Sequence, residues 1–388
     1  MARALLLLCA WLLGCGDDVA SVAADAGTGV GDAGPLYDRW RKVELPGTVC
    51  GNGSQYKFWF NRSESSRNLL VYLEGGGACW DHATCSGRAG IVGAANTNGI
   101  PDNHIDLRSV MSPLLLRLEE ETPTWDWNMV FLPYCTGDVF VGDRTTTYVD
   151  PDGVEPDLEF HHAGYANLLA VTEWMAAEFP DVPQLLVSGC SAGGIGSVAT
   201  YNTIRSRLPS VGRGHVLDDS GPLFPGDNHA RPLYDTIRAA WNLDTVIDAE
   251  LGSDPALDTD LGAASTVLAD AWPDDRFGIT LFRHDGTFPR IAYSSMGELP
   301  RDRMFELWEE DLALLRAQYD TRENMAYFIP YWRSFIDAHC TTIVKWEGSE
   351  IEELGVDAES FVRELLGDAP LESRMETTPE GPDASAGL

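Results

Sequence analysis

The sequence predicts an α/β fold: a mostly parallel sheet flanked by helices, with a helical insertion. Three observations carry this. Short apolar runs recur without polar alternation at 68–73 (NLLVYL), 128–132 (NMVFL) and 183–188 (PQLLVS), the pattern of strands buried on both faces. Stretches with helical spacing of apolar residues lie between and after them, at 163–178 and 193–208. The 388 residues, 44% hydrophobic and including 12 Trp, 12 Tyr and 14 Phe, suit one large α/β domain or two smaller ones and exclude disorder throughout.

From the N-terminus, residues 1–15 read as a signal peptide. Arg3 precedes a run of ten apolar residues from Ala4 to Leu13, too short to span a bilayer. The run ends in Leu12-Leu13-Gly14-Cys15, which resembles a bacterial lipobox, so Cys15 is the expected lipidation site. Residues 16–34 are small, acidic and aperiodic, a flexible tether. The folded domain is expected over 35–366. Within it, 215–217 and 277–282 read as further strands, 301–319 as a long helix, and about 225–275 as the insertion. Residues 367–388, rich in Pro, Glu, Thr and Ser, read as a disordered tail. Beyond Cys9 and Cys15 stand six cysteines, Cys50, Cys79, Cys85, Cys135, Cys190 and Cys340. In an exported protein they are compatible with three disulfides of open connectivity. Cys79 and Cys85 could close a small loop. No second Cys or His cluster completes a metal site with them, and no metal or cofactor is expected.

Charge narrows the partners. The formal net charge is −33, and loss of Arg3 with the signal takes it to −34. Such a chain repels phosphate backbones and anionic lipid, so nucleic acid is excluded and the membrane enters only through the N-terminal lipid. The expected location is the bacterial cell envelope, at the outer membrane or cell surface, or outside the cell, and the expected state is a monomer.

The most informative segment is QLLVSGCSAGGIGSVATYNTIR, 184–205. Gly189-Cys190-Ser191-Ala192-Gly193 matches G-x-S-x-G between an apolar strand and a helix. That setting holds a serine hydroxyl up on a strained turn, while the following helix aims its N-terminus at the site and the Ala192 amide at a developing oxyanion. Cys190 is a rival nucleophile, countered by the expectation that it is bridged. A second glycine run, Leu73-Glu74-Gly75-Gly76-Gly77-Ala78-Cys79-Trp80, also follows a strand and offers bare amides to a carbonyl. It lacks the spacing of a dinucleotide fingerprint and the Lys of a phosphate loop.

Three segments are similar to the pectin acetylesterase and Notum family of serine carboxylesterases: LVYLEGGGACW (70–80), YCTGDVFVGD (134–143) and SGCSAGG (188–194). FHHAGYANLLAV (160–171) and DDSG (218–221) also resemble that family, so the likeness spans roughly 45–225. The resemblance implies an α/β-hydrolase-like fold and a Ser/His/acid triad, with Ser191 as nucleophile and Gly76, Gly77 and Ala192 as oxyanion amides.

The base and the acid follow from chain order. In α/β-hydrolases the order is Ser, acid, His. Of His215, His229, His284 and His339, the last lies near the C-terminus, where the family places its base, and is the assigned one. The family's acid follows a late strand. Asp285 is the first carboxylate after 277–282 and is preferred over Glu298 and Asp302, although an Asp-Gly pair also simply shapes turns. Trp80, Tyr134 and Phe140 are candidate platforms at the mouth, and Asp138 and Asp143 candidate loop-shaping residues. The expected function is an exported carboxylesterase, with an O-acetylated polysaccharide or other small ester as substrate. A lipid-ester deacylase and a catalytically silent glycan-binding protein are the rivals. Pectin itself is polyanionic, so without basic residues at the mouth a neutral acetylated glycan is the better substrate.

Overall fold

A computed structural model describes residues 37–118, 122–252 and 254–377. The expected signal, Cys15, the 16–34 tether and residues 378–388 lie outside them.

Eleven strands occur among the described residues: β1 (Trp40–Val43), β2 (Phe58–Asn61), β3 (Leu69–Leu73), β4 (Asn128–Leu132), β5 (Arg144–Tyr148), β6 (Leu158–His162), β7 (Val182–Cys190), β8 (Val211–Asp219), β9 (Arg276–Thr280), β10 (Met325–Ile329) and β11 (Arg374–Met375). Nine form one sheet in the order β1-β2-β4-β3-β7-β8-β9-β10-β11, and β5 and β6 pair separately. From β4 to β11 every neighbour is parallel, while β1 and β2 pair antiparallel at one edge. The predicted parallel sheet is therefore present. Every residue of β3 and β4 is buried, which is why those runs show no alternation.

The helix Ala192–Arg207 lies on β3, β7 and β8, close because the face it buries is largely small: Gly193, Gly194, Gly196, Ser197 and Thr200. The helix Arg301–Tyr319 spans the predicted residues and buries Met304, Phe305, Trp308, Leu312 and Leu315 at helical spacing. The insertion is helical, with Arg231–Trp241, Leu243–Leu251, Pro255–Thr259 and Ala264–Ala271. No helix among the described residues is long and apolar enough to cross a membrane.

Strand order determines where a site can form. Chain continuity runs from β3 to β4 on one side, whereas β7 lies on the other side of β3. The β3–β7 junction is thus a topological switch point, and connections leaving the carboxyl ends of these strands part and open a crevice.

The tail departs from expectation. Residues 367–377 are not disordered: β11 pairs parallel with β10, and Arg374 is ion-paired to Glu364 at 2.7 Å. The carboxylate of Glu376, buried, accepts from the Tyr331 and Glu352 amides at 2.6 and 3.1 Å. Composition misread this segment because its polar side chains are held by partners elsewhere in the chain. Truncation after Gly367 strips these contacts and is expected to lower the thermal midpoint by about 5 °C, checked by calorimetry; removal of a truly disordered tail would leave the midpoint in place.

Candidate active site

The chain leaves β3 through Glu74 and the glycine run, and leaves β7 through Ser191. Leu73 pairs with Gly189, which brings the two exits side by side. At Ser191 the backbone turns through φ 60°, ψ −120°, a region a non-glycine residue occupies only under constraint. Its amide donates to the Asp219 carbonyl at 2.7 Å. Room for the turn comes from glycine: a Cβ on Gly189 or on Gly193 would strike the Leu73 carbonyl, and one on Gly75 the Cys190 carbonyl. The helix Ala192–Arg207 starts immediately after the serine.

Gly76 and Gly77 both have positive φ, 145° and 61°, and pass tightly beneath Gly93–Ala95; the Ala95 amide donates to the Gly76 carbonyl at 2.9 Å. Glu74 anchors the loop. Its buried carboxylate accepts from His104 Nε2 at 2.9 Å, Arg108 Nε at 2.7 Å and the Tyr134 amide at 3.0 Å. Sequence reading passed over Glu74, although its place between a strand and three glycines was the available signal.

Asp285 and His339 meet. His339 Nδ1 donates to Asp285 Oδ2 at 2.7 Å, while Asp285 Oδ1 accepts from the Thr287 and Phe288 amides at 2.8 and 2.9 Å. Asp285 thus both shapes its turn and binds the imidazole. His339 Nε2 is buried and has no hydrogen-bond partner among the described residues. Burial alone would depress the imidazole. The charge and hydrogen bond of Asp285 outweigh it, with Asp219 and Asp337 adding, and the His339 pKa is raised above 6.5.

The rival residues are accounted for elsewhere. His215 is fully buried in the middle of β8, its pKa lowered to about 4 by burial. His229 pairs with Asp311 at 2.8 Å. His284 stacks between Phe305 and Tyr331. Glu298 lines a separate surface depression, and Asp302 sits in the first turn of the helix Arg301–Tyr319. Cys190 is bridged to Cys340, so no free thiol competes with Ser191; Cys50–Cys135 and Cys79–Cys85 complete three disulfides, as an exported protein permits. Cys190 directly precedes Ser191 and Cys340 directly follows His339, so one covalent bond ties the two segments.

Ser191, His339 and Gly75–Gly77 line one cavity of about 400 Å³. Its walls are mostly apolar, from Tyr72, Ile91, Met111, Phe131, Ile291 and Ile343. Trp80, Tyr134 and Phe140 are not among the lining residues. Tyr134 and Phe140 are core, 5.0 Å apart between ring centroids, and Trp80 packs partly buried against that core. The three follow the right loops, but Tyr134 and Phe140 belong to the core and Trp80 packs against it, so none of them walls the cavity. Asp138 does shape its loop, accepting from Thr136 Oγ1, the Phe140 amide and the Gly164 amide; burial pushes its carboxyl up to about 6. Asp143 joins the same region to the insertion through its amide, which donates to the Trp241 carbonyl.

A serine on a strained turn, an imidazole oriented by a carboxylate and a glycine loop beside them are the parts that acyl transfer uses. Comparison with known proteins agrees. The pectinacetylesterase family model matches residues 41–245, more than half the chain, and the chain belongs to that family. It is 27% identical over 183 residues to pectin acetylesterase 11 of Arabidopsis thaliana, covering 46% of this chain and 44% of that one. It is 31% identical over 206 residues to palmitoleoyl-protein carboxylesterase NOTUM of Drosophila melanogaster, covering 50% and 30%. The match therefore spans less than half the length of these curated relatives. A solved structure titled Wnt deacylase Notum from Drosophila superposes with a TM-score of 0.58 at 19% identity, covering 86% of this chain and 96% of that one, and shares the α/β-hydrolase-like fold.

The disulfide next to the serine gives a direct check. Replacing Cys190 and Cys340 by alanine together is expected to cost about 3–5 kcal/mol in denaturant unfolding, because the bridge closes a loop of 150 residues.

Proposed function

We propose that this member of the pectinacetylesterase family is an exported serine carboxylesterase working through an acyl-enzyme. The supporting observation is the 2.7 Å contact between His339 and Asp285 on the cavity that Ser191 and Gly75–Gly77 also line. Ser191 Oγ attacks the ester carbonyl carbon, and its proton passes to His339 Nε2. The amides of Gly76, Gly77 and Ala192 hold the oxyanion. Collapse expels the alcohol, which takes the proton from His339. Water then attacks the acyl carbon, giving its proton to His339, and the acid leaves with Ser191 restored. Asp285 keeps the imidazole in the right tautomer and stabilises its charged form.

The acyl group is inferred from the cavity. Deacetylation of a polysaccharide fits the chemistry, but an apolar cavity of about 400 Å³ gives more room than an acetyl group fills and favours a longer, neutral acyl chain. Arg108, the one Lys or Arg among the described lining residues, is bound to Glu74 at 2.7 Å, so that lining offers no basic cluster to a polyanion such as pectin. Lipid on Cys15, with 16–34 as tether, would hold the domain, as a monomer, at the surface of a bacterial envelope; the apolar run ending in that cysteine supports this.

Ser191→Ala is expected to abolish hydrolysis of p-nitrophenyl esters and labelling by a fluorophosphonate with the thermal midpoint kept, and full activity in that variant would end the proposal. Across p-nitrophenyl acetate, butyrate and octanoate, kcat/KM is expected to rise with chain length; a maximum at acetate would return the substrate to acetylated glycan.

The base must be neutral to accept a proton, so activity is lost as pH falls through the His339 pKa. Because that pKa is raised, the acid limb of kcat/KM is expected above pH 6.5. Asp285→Asn removes the main charge that raises it. This variant is expected to shift the limb to lower pH and to cut kcat by about 10³–10⁴-fold, read from a pH series.

A further inference from the structure

The segment that carries His339 is not held by regular structure of its own. Between β10 and the helix Ala358–Leu366 it places Ile336, Asp337, Ala338, Cys340 and Val344 at positive φ, five non-glycine residues in a region that L side chains disfavour. Something outside the segment must impose this course, and the end of β8 supplies it. Asp219, paired in register with Cys190, has a fully buried carboxylate. Its Oδ1 accepts from the Thr341 amide at 2.8 Å and from Thr341 Oγ1 at 3.2 Å. Its Oδ2 accepts from the Thr342 amide at 2.8 Å and from Thr342 Oγ1 at 2.7 Å. Ser220 continues the seam: its hydroxyl donates to Asp219 Oδ1 at 3.2 Å and accepts from the Cys340 amide at 3.1 Å. The three residues after His339 are thus tied to Asp219 and its neighbour, while the Asp219 carbonyl holds the Ser191 amide at 2.7 Å.

We propose that Asp219 is a positioning residue of the esterase: its carbonyl fixes the turn at Ser191 and its carboxylate fixes the loop behind His339, which together set the approach of base to nucleophile. The proposal rests on the esterase reading above. The Cys190–Cys340 bridge joins the same two segments but leaves rotation about its own bonds. The carboxylate supplies direction, since, besides the Ser220 hydroxyl on Oδ1, each oxygen takes one amide and one hydroxyl of consecutive threonines. A carboxylate here is costly: burial raises the Asp219 carboxyl above its usual range, against the opposing Thr342 and Thr341 hydrogen bonds and the charge of Arg333. The residue also acts on the base electrostatically. The charged groups that raise the His339 pKa are Asp285, Asp219 and Asp337, so loss of Asp219 removes one of the three.

The test compares wild type, Asp219→Asn, Thr342→Ser and Thr342→Val with p-nitrophenyl butyrate and a fluorophosphonate, folding being checked by circular dichroism and thermal midpoint. Asp219→Asn turns one accepting oxygen into a donor that faces threonine amides. It is expected to lower kcat about 100-fold with KM little changed, to slow labelling in step, and to move the acid limb to lower pH. Thr342→Ser keeps the hydroxyl and is expected to stay within about 2-fold of wild type, whereas the isosteric Thr342→Val lowers kcat about 10-fold; this pair decides the matter if Asp219→Asn does not fold. A folded Asp219→Asn protein with wild-type kcat and an unmoved acid limb overturns the proposal, as do equal losses in the two Thr342 variants. Wild type inert to both reagents sinks the esterase reading and the proposal with it. An active wild type, inactive as Ser191→Ala but unaffected by Asp219→Asn, sinks the positioning role alone.

Discussion

The close approach of β7's exit to the end of β3 is the constraint on which the rest of the site depends. The Leu73 carbonyl occupies the space that side chains on Gly189 and Gly193 would need, and the Cys190 carbonyl the space beside Gly75. Only with those side chains absent can the turn at Ser191 stand against the glycine run, so that hydroxyl and backbone amides face one cavity. The sheet order makes this contact functional. Because β3 and β7 are neighbours whose connections run apart, the turn opens into a crevice rather than into packed helix.

Around that contact lies a set of buried carboxylates, each given hydrogen-bond partners and each placed at a loop the sheet does not itself control. Glu74 holds the glycine run, Asp138 the Val139–Phe140 turn, Asp219 the segment after His339, and Asp285 the imidazole. Isolated in an apolar interior these groups would be severely destabilising; with donors on both oxygens they become the parts with the most directional geometry. The acid excess of the chain thus has two components. Among the described residues most acidic side chains are not buried, and a few of the buried ones shape the site. Neither component makes the crevice a receptor for polyanions.

Much of this was legible in the sequence, for local reasons. β3, β4 and β7 are apolar runs with strong punctuation, and the Ser191 turn is written in consecutive residues. The helix Arg301–Tyr319 follows a proline and keeps its period for its whole length. What escaped notice depended on partners distant in the chain. β1 and β2 form only as an antiparallel edge on β4, and β11 only because β10 offers it an edge. β10 itself, MAYFI, carried the same apolar signal as β3 and was overlooked beside the long helix before it. In the site, the proposed triad of Ser191, Asp285 and His339 was assembled from motif, chain order and resemblance. The aromatic platform failed because position next to a loop says nothing of which way a ring points. Tyr134 and Phe140 turn into the core, and the apolar wall comes from Met111, Ile291 and Ile343, residues with no motif at all.

The His339 segment shows why the proposed base was harder to place than the proposed nucleophile. A nucleophile turn is specified by its neighbours in sequence, so a short motif suffices. The base sits in a loop whose left-handed residues include Ile336 and Val344, both β-branched, and no local rule predicts such a path. Its shape is imposed by β8, by a bridge to Cys190 and by Asp285, segments separated from it by between about 50 and 150 residues. Catalytic geometry of this kind is a property of the assembled sheet end. The strained loop is kept in place because every partner that forces it there is itself buried, and it is this burial, more than any contact of His339 alone, that aims the imidazole.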